Sequence, residues 1–197
     1  LVLEKGKTYA VVGENGCGKS TFAKIISGYY TNYSGKIKIN GEDMKKIPGN
    51  KIRSRIVYIN QKDFLFDASP EENCTLFFNY EINPALVSAM GSDELLEKDY
   101  STTMMSGGER QKIAFLRGFS RKSDVLICDE AESAMDILAK KRFIDLLKND
   151  KERIKVSITH TIDDSLKEYD TILYFNNGIL AEQGSFDELC SKKEEFY

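Results

Sequence analysis

Nothing in this chain of 197 residues approaches the run of about 20 apolar residues that a membrane-crossing helix needs, and no secretory leader is visible. The four cysteines, Cys17, Cys74, Cys128 and Cys190, lie far apart and form no CxxC pair. That speaks against a zinc site or a disulfide framework and predicts a reducing, cytosolic setting. An excess of basic residues is also missing. With a net charge of −3 and a pI near 5.4, no electrostatic grip on DNA, RNA or anionic lipid is expected. Internal repeats and low-complexity segments are absent as well.

What is present is ordinary for an α/β protein: 41% hydrophobic and 30% charged residues, enough for one domain or one domain plus a small subdomain. Chains of this length bury roughly 70% of their unfolded surface. Thr8 to Val12 is a short apolar run of β-formers, read as a buried strand, and Ser20 to Ser27 reads as a helix ended by Gly28. Ser34 to Gly41 alternates Ile37 and Ile39 with lysines and ends in Asn-Gly, a half-exposed strand and turn with an antiparallel edge of its own. Arg55 to Asn60 is a strand that delivers Gln61. Residues 71 to 98 carry helical stretches broken at Asn83-Pro84 and Gly91-Ser92. Ser106 opens an amphipathic helix through Ser120, with Ile113, Ala114 and Leu116 toward the core. Strands at Val125–Cys128 and Ile154–Thr159 flank a helix at Leu138–Leu147. Thr171–Phe175 and Ile179–Glu182 form a hairpin around Asn176-Asn177-Gly178, and Phe186 to Tyr197 is helix and charged tail. Strands alternating with helices predict a mostly parallel sheet covered on both faces.

Between the first strand and the first helix lies Gly13-Glu14-Asn15-Gly16-Cys17-Gly18-Lys19-Ser20, which matches G-x-x-x-x-G-K-S. Glycines let backbone N–H groups turn inward around an anion, and the helix start adds its positive dipole end. Lys19 is expected to reach the β- and γ-phosphates, and the Ser20 hydroxyl to ligate Mg²⁺. The competing reading, a chance glycine-rich turn, has the flanking strand and helix against it. Asp129 ends an apolar strand and Glu130 follows. Asp129 suits outer-sphere holding of Mg²⁺, and Glu130 suits activation of an attacking water. Taken alone, the pair reads as a strand end entering a polar loop. Ser106-Gly107-Gly108-Glu109 is complete as a capped helix start, with Ser106 as N-cap and Glu109 at the capping-box position. The same free N–H groups could instead bind phosphate. His160, the one histidine, sits at the end of a strand. A lone histidine is more often structural than catalytic, and a neutral or charged ring at this strand end could donate a hydrogen bond.

These motifs, in this order, resemble the nucleotide-binding domain of ATP-binding cassette (ABC) transporters, and the resemblance covers essentially the whole chain. It implies a P-loop NTPase core at about residues 1–70 and 121–197, an antiparallel β edge, and a helical subdomain at about 71–120. It implies an ATPase that binds ATP and Mg²⁺ through Gly13, Glu14, Asn15, Gly16, Cys17, Gly18, Lys19, Ser20, Thr21 and Gln61. Ser20, Gln61 and Asp129 would serve the metal, and Glu130, His160 and Lys19 catalysis. Ser106, Gly107 and Gly108 match the family's LSGGQ loop, which binds the γ-phosphate of nucleotide held by a second ABC ATPase domain. The loop here reads Met105-Ser106-Gly107-Gly108-Glu109. Met keeps an apolar anchor, and Glu109 is expected to turn away toward its capping role. Ser133-Ala134-Met135-Asp136 resembles the loop that crosses the dimer interface.

The stretch after Gln61 is similar to an exporter pattern at Leu65, Phe66, Ser69, Glu72 and Asn73, whereas the acidic exporter loop is replaced by Tyr100-Ser101-Thr102-Thr103. The resemblance implies a transmembrane domain as partner on the same native chain, at the cytoplasmic face of a membrane, and no nucleic acid. Only twelve residues precede Gly13, so the chain is expected to be an excised piece lacking the family's adenine-stacking aromatic, with Tyr9 a core residue. Three rivals are a soluble ABC ATPase, a non-catalytic nucleotide-binding regulator and a purely structural α/β domain. The acidic charge and exporter pattern count against the first. The intact Lys19, Asp129, Glu130 and His160 count against the second, and the coincidence of motifs against the third.

Overall fold

The computed structural model describes residues 1–60, 64–98, 102–131, 135, 137–192 and 196. Gln61, Ser133, Ala134 and Asp136 lie outside the described residues.

Six strands form one sheet in the order β4-β5-β6-β1-β7-β8. They are β1 (Thr8–Val12), β4 (Ile56–Ile59), β5 (Val125–Asp129), β6 (Ile154–Ile158), β7 (Thr171–Asn176) and β8 (Ile179–Gly184). All neighbours pair in parallel except β7 and β8, which make the expected antiparallel hairpin. A second, two-stranded antiparallel sheet pairs β2 (Lys38–Ile39) with β3 (Glu42–Asp43). It is the separate edge read from Ile37 and Ile39, but shorter, because Asn40 and Gly41 both take positive φ (51° and 87°) and turn the chain back at once.

The apolar runs of the central strands follow from burial on both faces. Ala10, Val12, Leu126 and Cys128 face a core built from α6 (Gly107–Ser120) and α7 (Ile137–Asn149), with Ile113, Phe115, Leu116 and Phe143 fully buried. Tyr9, Val11, Ile127, Val156 and Ile158 face the other way, onto α1 (Lys19–Ile26) through Ala23. Tyr9 is a core residue, as expected, and its hydroxyl accepts the Glu4 N–H at 2.8 Å.

Between β4 and α6 the described residues form three short α-helices, α3 (Pro70–Thr75), α4 (Pro84–Ala89) and α5 (Asp93–Leu96). Breaks expected at Asn83-Pro84 and Gly91-Ser92 are helix starts, with Asn83 accepting the Ala85 N–H at 2.9 Å. The helix α2 (Gly49–Arg55) was not anticipated, since Ile52 is its one buried residue and gives no apolar period. The C-terminal α8 (Phe186–Lys192) packs Leu189 into the core.

Parallel order β4-β5-β6-β1 sets the C-terminal ends of four consecutive strands in a row, the edge at which open α/β sheets hold their ligands.

Candidate functional site

The loop after β1 is shaped by a close approach. Gly13 has φ 144°, and a Cβ there would lie 2.1 Å from the carbonyl oxygen of Phe175 in β7. The tip of the β7–β8 hairpin braces the same loop, with the Gly178 N–H donating to the Cys17 carbonyl at 3.0 Å. Lys19, 6% exposed, folds back over it and donates to the carbonyls of Gly13 (2.7 Å) and Glu14 (2.8 Å). The first intrahelical bond of α1 runs from Phe22 N–H to Gly18 O, and the N-cap Gly18 offers no side-chain acceptor. The N–H groups of Lys19, Ser20 and Thr21 therefore precede the helix's own acceptors. Gly16 is exposed with open space where a Cβ would sit. A loop of this kind fits a phosphate chain.

Asp129 ends β5 on the face toward α1. Its Oδ1 accepts the Ser20 hydroxyl at 3.3 Å, and its Oδ2 accepts the hydroxyl of Tyr58 from β4. Burial and this hydrogen bond raise the Tyr58 hydroxyl far above its ordinary value, so Tyr58 is a neutral donor. Ser20 and Asp129 form a hard-oxygen pair of the kind Mg²⁺ prefers. Among the described residues no group of three or more His, Cys, Asp or Glu converges on a metal position.

Glu130 follows with φ 54°, a left-handed conformation rare for a residue with a side chain. Its N–H remains in the ladder, donating to Ile158 O at 3.0 Å, while Gln111 of α6 donates to its carbonyl at 3.4 Å. One strand over, Thr159 N–H donates to Val11 O at 3.1 Å, which carries His160 to the same edge. His160 Nδ1 lies 3.8 Å from Glu130 Oε1, beyond hydrogen-bond reach. Both line a cleft of about 200 Å³ with Met135, Lys140, Thr159, Thr161 and Asp163.

The predicted residues thus converge for Gly13–Ser20, Asp129, Glu130 and His160. Thr21 is exposed on the first turn of α1. Ser106 and Gly107 are exposed at the start of α6, away from any hydrogen bond to the phosphate loop among those described. Ser106 and Glu109 form the reciprocal capping box, so Glu109 turns toward its cap as expected, and Met105 is buried. Gln61 lies outside the described residues.

Tyr58 and the cleft-lining Lys140 and Asp163 were not anticipated. Tyr58 carried a weak signal, being a polar-tipped residue inside an apolar strand three places before Gln61. The exporter-like stretch is a built loop. Asn73, fully buried, accepts the Phe66 N–H at 2.8 Å and donates to the carbonyls of Phe66, Ala68 and Ser69 at 3.0, 3.3 and 3.1 Å. Ser69 and Glu72 cap α3 reciprocally. Held this way, Phe64 (70% exposed), Phe66 and Phe77 form an outward aromatic cluster with ring centroids 5.3 and 5.4 Å apart.

Comparison with known proteins bears on the fold and the family. Over 98% of its length the chain superposes on a bacterial Atm1-family ABC exporter with ATP bound, with a TM-score of 0.86, 24% identity and 36% of that chain covered. It is 31% identical over 214 residues to multidrug resistance protein pgp-1 of Caenorhabditis elegans, covering 99% of this chain and 16% of that protein. It is 31% identical to the beta-(1→2)glucan export ATP-binding/permease protein NdvA of Rhizobium johnstonii, covering 98% of this chain and 35% of that protein. It is 32% identical to the energy-coupling factor transporter ATP-binding protein EcfA1 of Mesomycoplasma hyopneumoniae, covering 92% of this chain and 71% of that protein. The chain thus spans a minor part of the exporters it matches. The sequence model of the ABC transporter family matches residues 1–133. The chain belongs to the ABC transporter family and carries its nucleotide-binding fold.

Proposed function

We propose that this chain is the ATP-hydrolysing domain of an ABC exporter. The observation that supports this most is the 3.3 Å contact between Ser20 of the phosphate loop and Asp129 of β5, with Glu130 and His160 beside it on the same sheet edge. Backbone N–H groups of the Gly13–Ser20 loop and of Thr21 bind the phosphates, and Lys19 leaves the Gly13 and Glu14 carbonyls for the β- and γ-phosphates. Ser20, Asp129 and Gln61 would hold Mg²⁺, which would supply neutralisation of charge on the phosphates. Glu130 takes the proton of the attacking water, and His160 donates to the γ-phosphate.

The helix start at Ser106, Gly107 and Gly108, its first two residues exposed, serves a nucleotide on a second ABC ATPase domain, so two domains close head to tail around ATP. The aromatic cluster of Phe64, Phe66 and Phe77 suits a docking face for a transmembrane domain, and the ATPase would work at the cytoplasmic side of that membrane. No described helix is long and apolar enough to cross a membrane, so the spans would come from that partner region. Residues 71–120 act as the helical subdomain between the two faces.

The test is Glu130→Gln. It is expected to lower ATP turnover at least about 100-fold while retaining an ATP-dependent dimer, read by phosphate release and by light scattering. Unchanged hydrolysis would remove Glu130 from its role.

A further inference from the structure

Tyr58 and Asp129 occupy adjacent parallel strands. The register pairs Tyr58 with Ile127, so Asp129, two residues on, projects from the same face of the sheet. That face is covered by α1, which carries Ser20. Both oxygens of the Asp129 carboxylate are engaged there, Oδ1 by the Ser20 hydroxyl and Oδ2 by the Tyr58 hydroxyl.

The two donors differ in kind. Ser20 is exposed, and in a Mg²⁺·ATP site its hydroxyl would be the group that turns to the metal. Tyr58 stands on the sheet, its ring packed against Tyr29 with centroids 5.7 Å apart, and it has no second acceptor among its described contacts. Once Ser20 turns away, the Tyr58 hydroxyl is what still fixes the rotation of the Asp129 carboxylate.

We propose that Tyr58 is a positioning residue that orients Asp129 toward the metal of the nucleotide complex. The proposal rests on the reading of this edge as a Mg²⁺·ATP site. Tyr58 acts through Asp129, in the way that outer partners orient metal-facing groups elsewhere.

Tyr58→Phe keeps the ring and removes the hydroxyl. Binding of Mn²⁺ to the purified protein in the presence of ATP, followed by electron paramagnetic resonance, is expected to weaken about tenfold or more. ATP affinity in EDTA should stay within about twofold of the parent. Tyr29→Leu, which removes the ring contact and leaves the hydroxyl, should leave Mn²⁺ affinity as it was. Equal Mn²⁺ affinity in Tyr58→Phe and the parent would overturn the proposal while leaving the nucleotide site standing. Equal losses in Tyr58→Phe and Tyr29→Leu would also overturn it, assigning the effect to packing. A parent protein that bound no Mn²⁺·ATP would overturn the nucleotide-site reading itself.

Discussion

The Ser106 N–H donates to Glu109 Oε2 at 2.9 Å, while the Glu109 N–H donates to the Ser106 hydroxyl oxygen at 3.3 Å. The second carboxylate oxygen accepts Lys98 Nζ at 2.9 Å. The unusual acid of this loop is therefore spent on the helix start. Glu109→Gln preserves the reciprocal cap and is expected to change stability by less than about 1 kcal/mol and ATP turnover by no more than about twofold. Thermal melting and phosphate release check it. A large change in turnover with normal melting would place the carboxylate in the chemistry.

At Gly118, α6 lies close against β4 of the sheet. A Cβ there would meet Ile59 Cδ1 and Cγ1 at 2.6 Å. Gly118→Ala should gain helix propensity but lose more to overpacking, for a net destabilisation of about 1–3 kcal/mol. Denaturant unfolding measures it. A stabilised variant would mean that Ile59 has room to rotate away.

Asp150 predicts an acid-sensitive link. Burial raises its carboxyl group, but the hydrogen bond and charge of Arg153, with side chains 12% and 10% exposed, hold it below the ordinary carboxylate range. Arg153 also donates to Phe119 O at 3.0 Å. Because the folded state binds the proton less readily, the pair's stabilisation is complete above the unfolded value of about 3.9 and fades as pH falls through the lower folded one. Asp150→Asn should cost about 3 kcal/mol at pH 7. Its deficit relative to the parent should shrink below about pH 4, as followed by melting temperature against pH.

Much of the architecture was legible because burial writes itself into composition. Strands β1 and β5 are covered on both faces and read as largely apolar runs, β6 keeps Ile154, Val156 and Ile158 apolar between a buried Lys155 and Ser157, and α6 showed both its cap and its period. Segments whose order comes from few contacts were missed or mis-sized, as with α2 around Ile52 alone. The site's residue types were legible from spacing, but their joint geometry was not. The Tyr58–Asp129 contact needs β4 beside β5 in a particular register, and the left-handed backbone of Glu130 leaves no trace in composition.

Cysteine reactivity offers another check. Cys74 is fully buried beside Ile113 O at 3.7 Å, and burial pushes its thiol up to about 12. Cys190 is half-buried. Alkylation of the native protein at pH 8, followed by mass spectrometry, should modify Cys190 and leave Cys74 untouched until unfolding. Rapid native labelling of Cys74 would mean that α3 opens readily from α6.

The placement of β1 between β6 and β7 has a consequence for biosynthesis. The phosphate-loop strand is synthesised before both of its sheet neighbours, Ile154–Ile158 and Thr171–Asn176, which follow it far along the sequence. The brace from Gly178 to Cys17 comes later still. Closing such long-range pairings is slow and pays its entropy before it is rewarded. A nascent chain halted short of Gly178 would therefore carry the whole nucleotide-binding motif with nothing to seat it. The full bracing of the phosphate loop therefore waits on the β7–β8 hairpin, the last part of the sheet to be made.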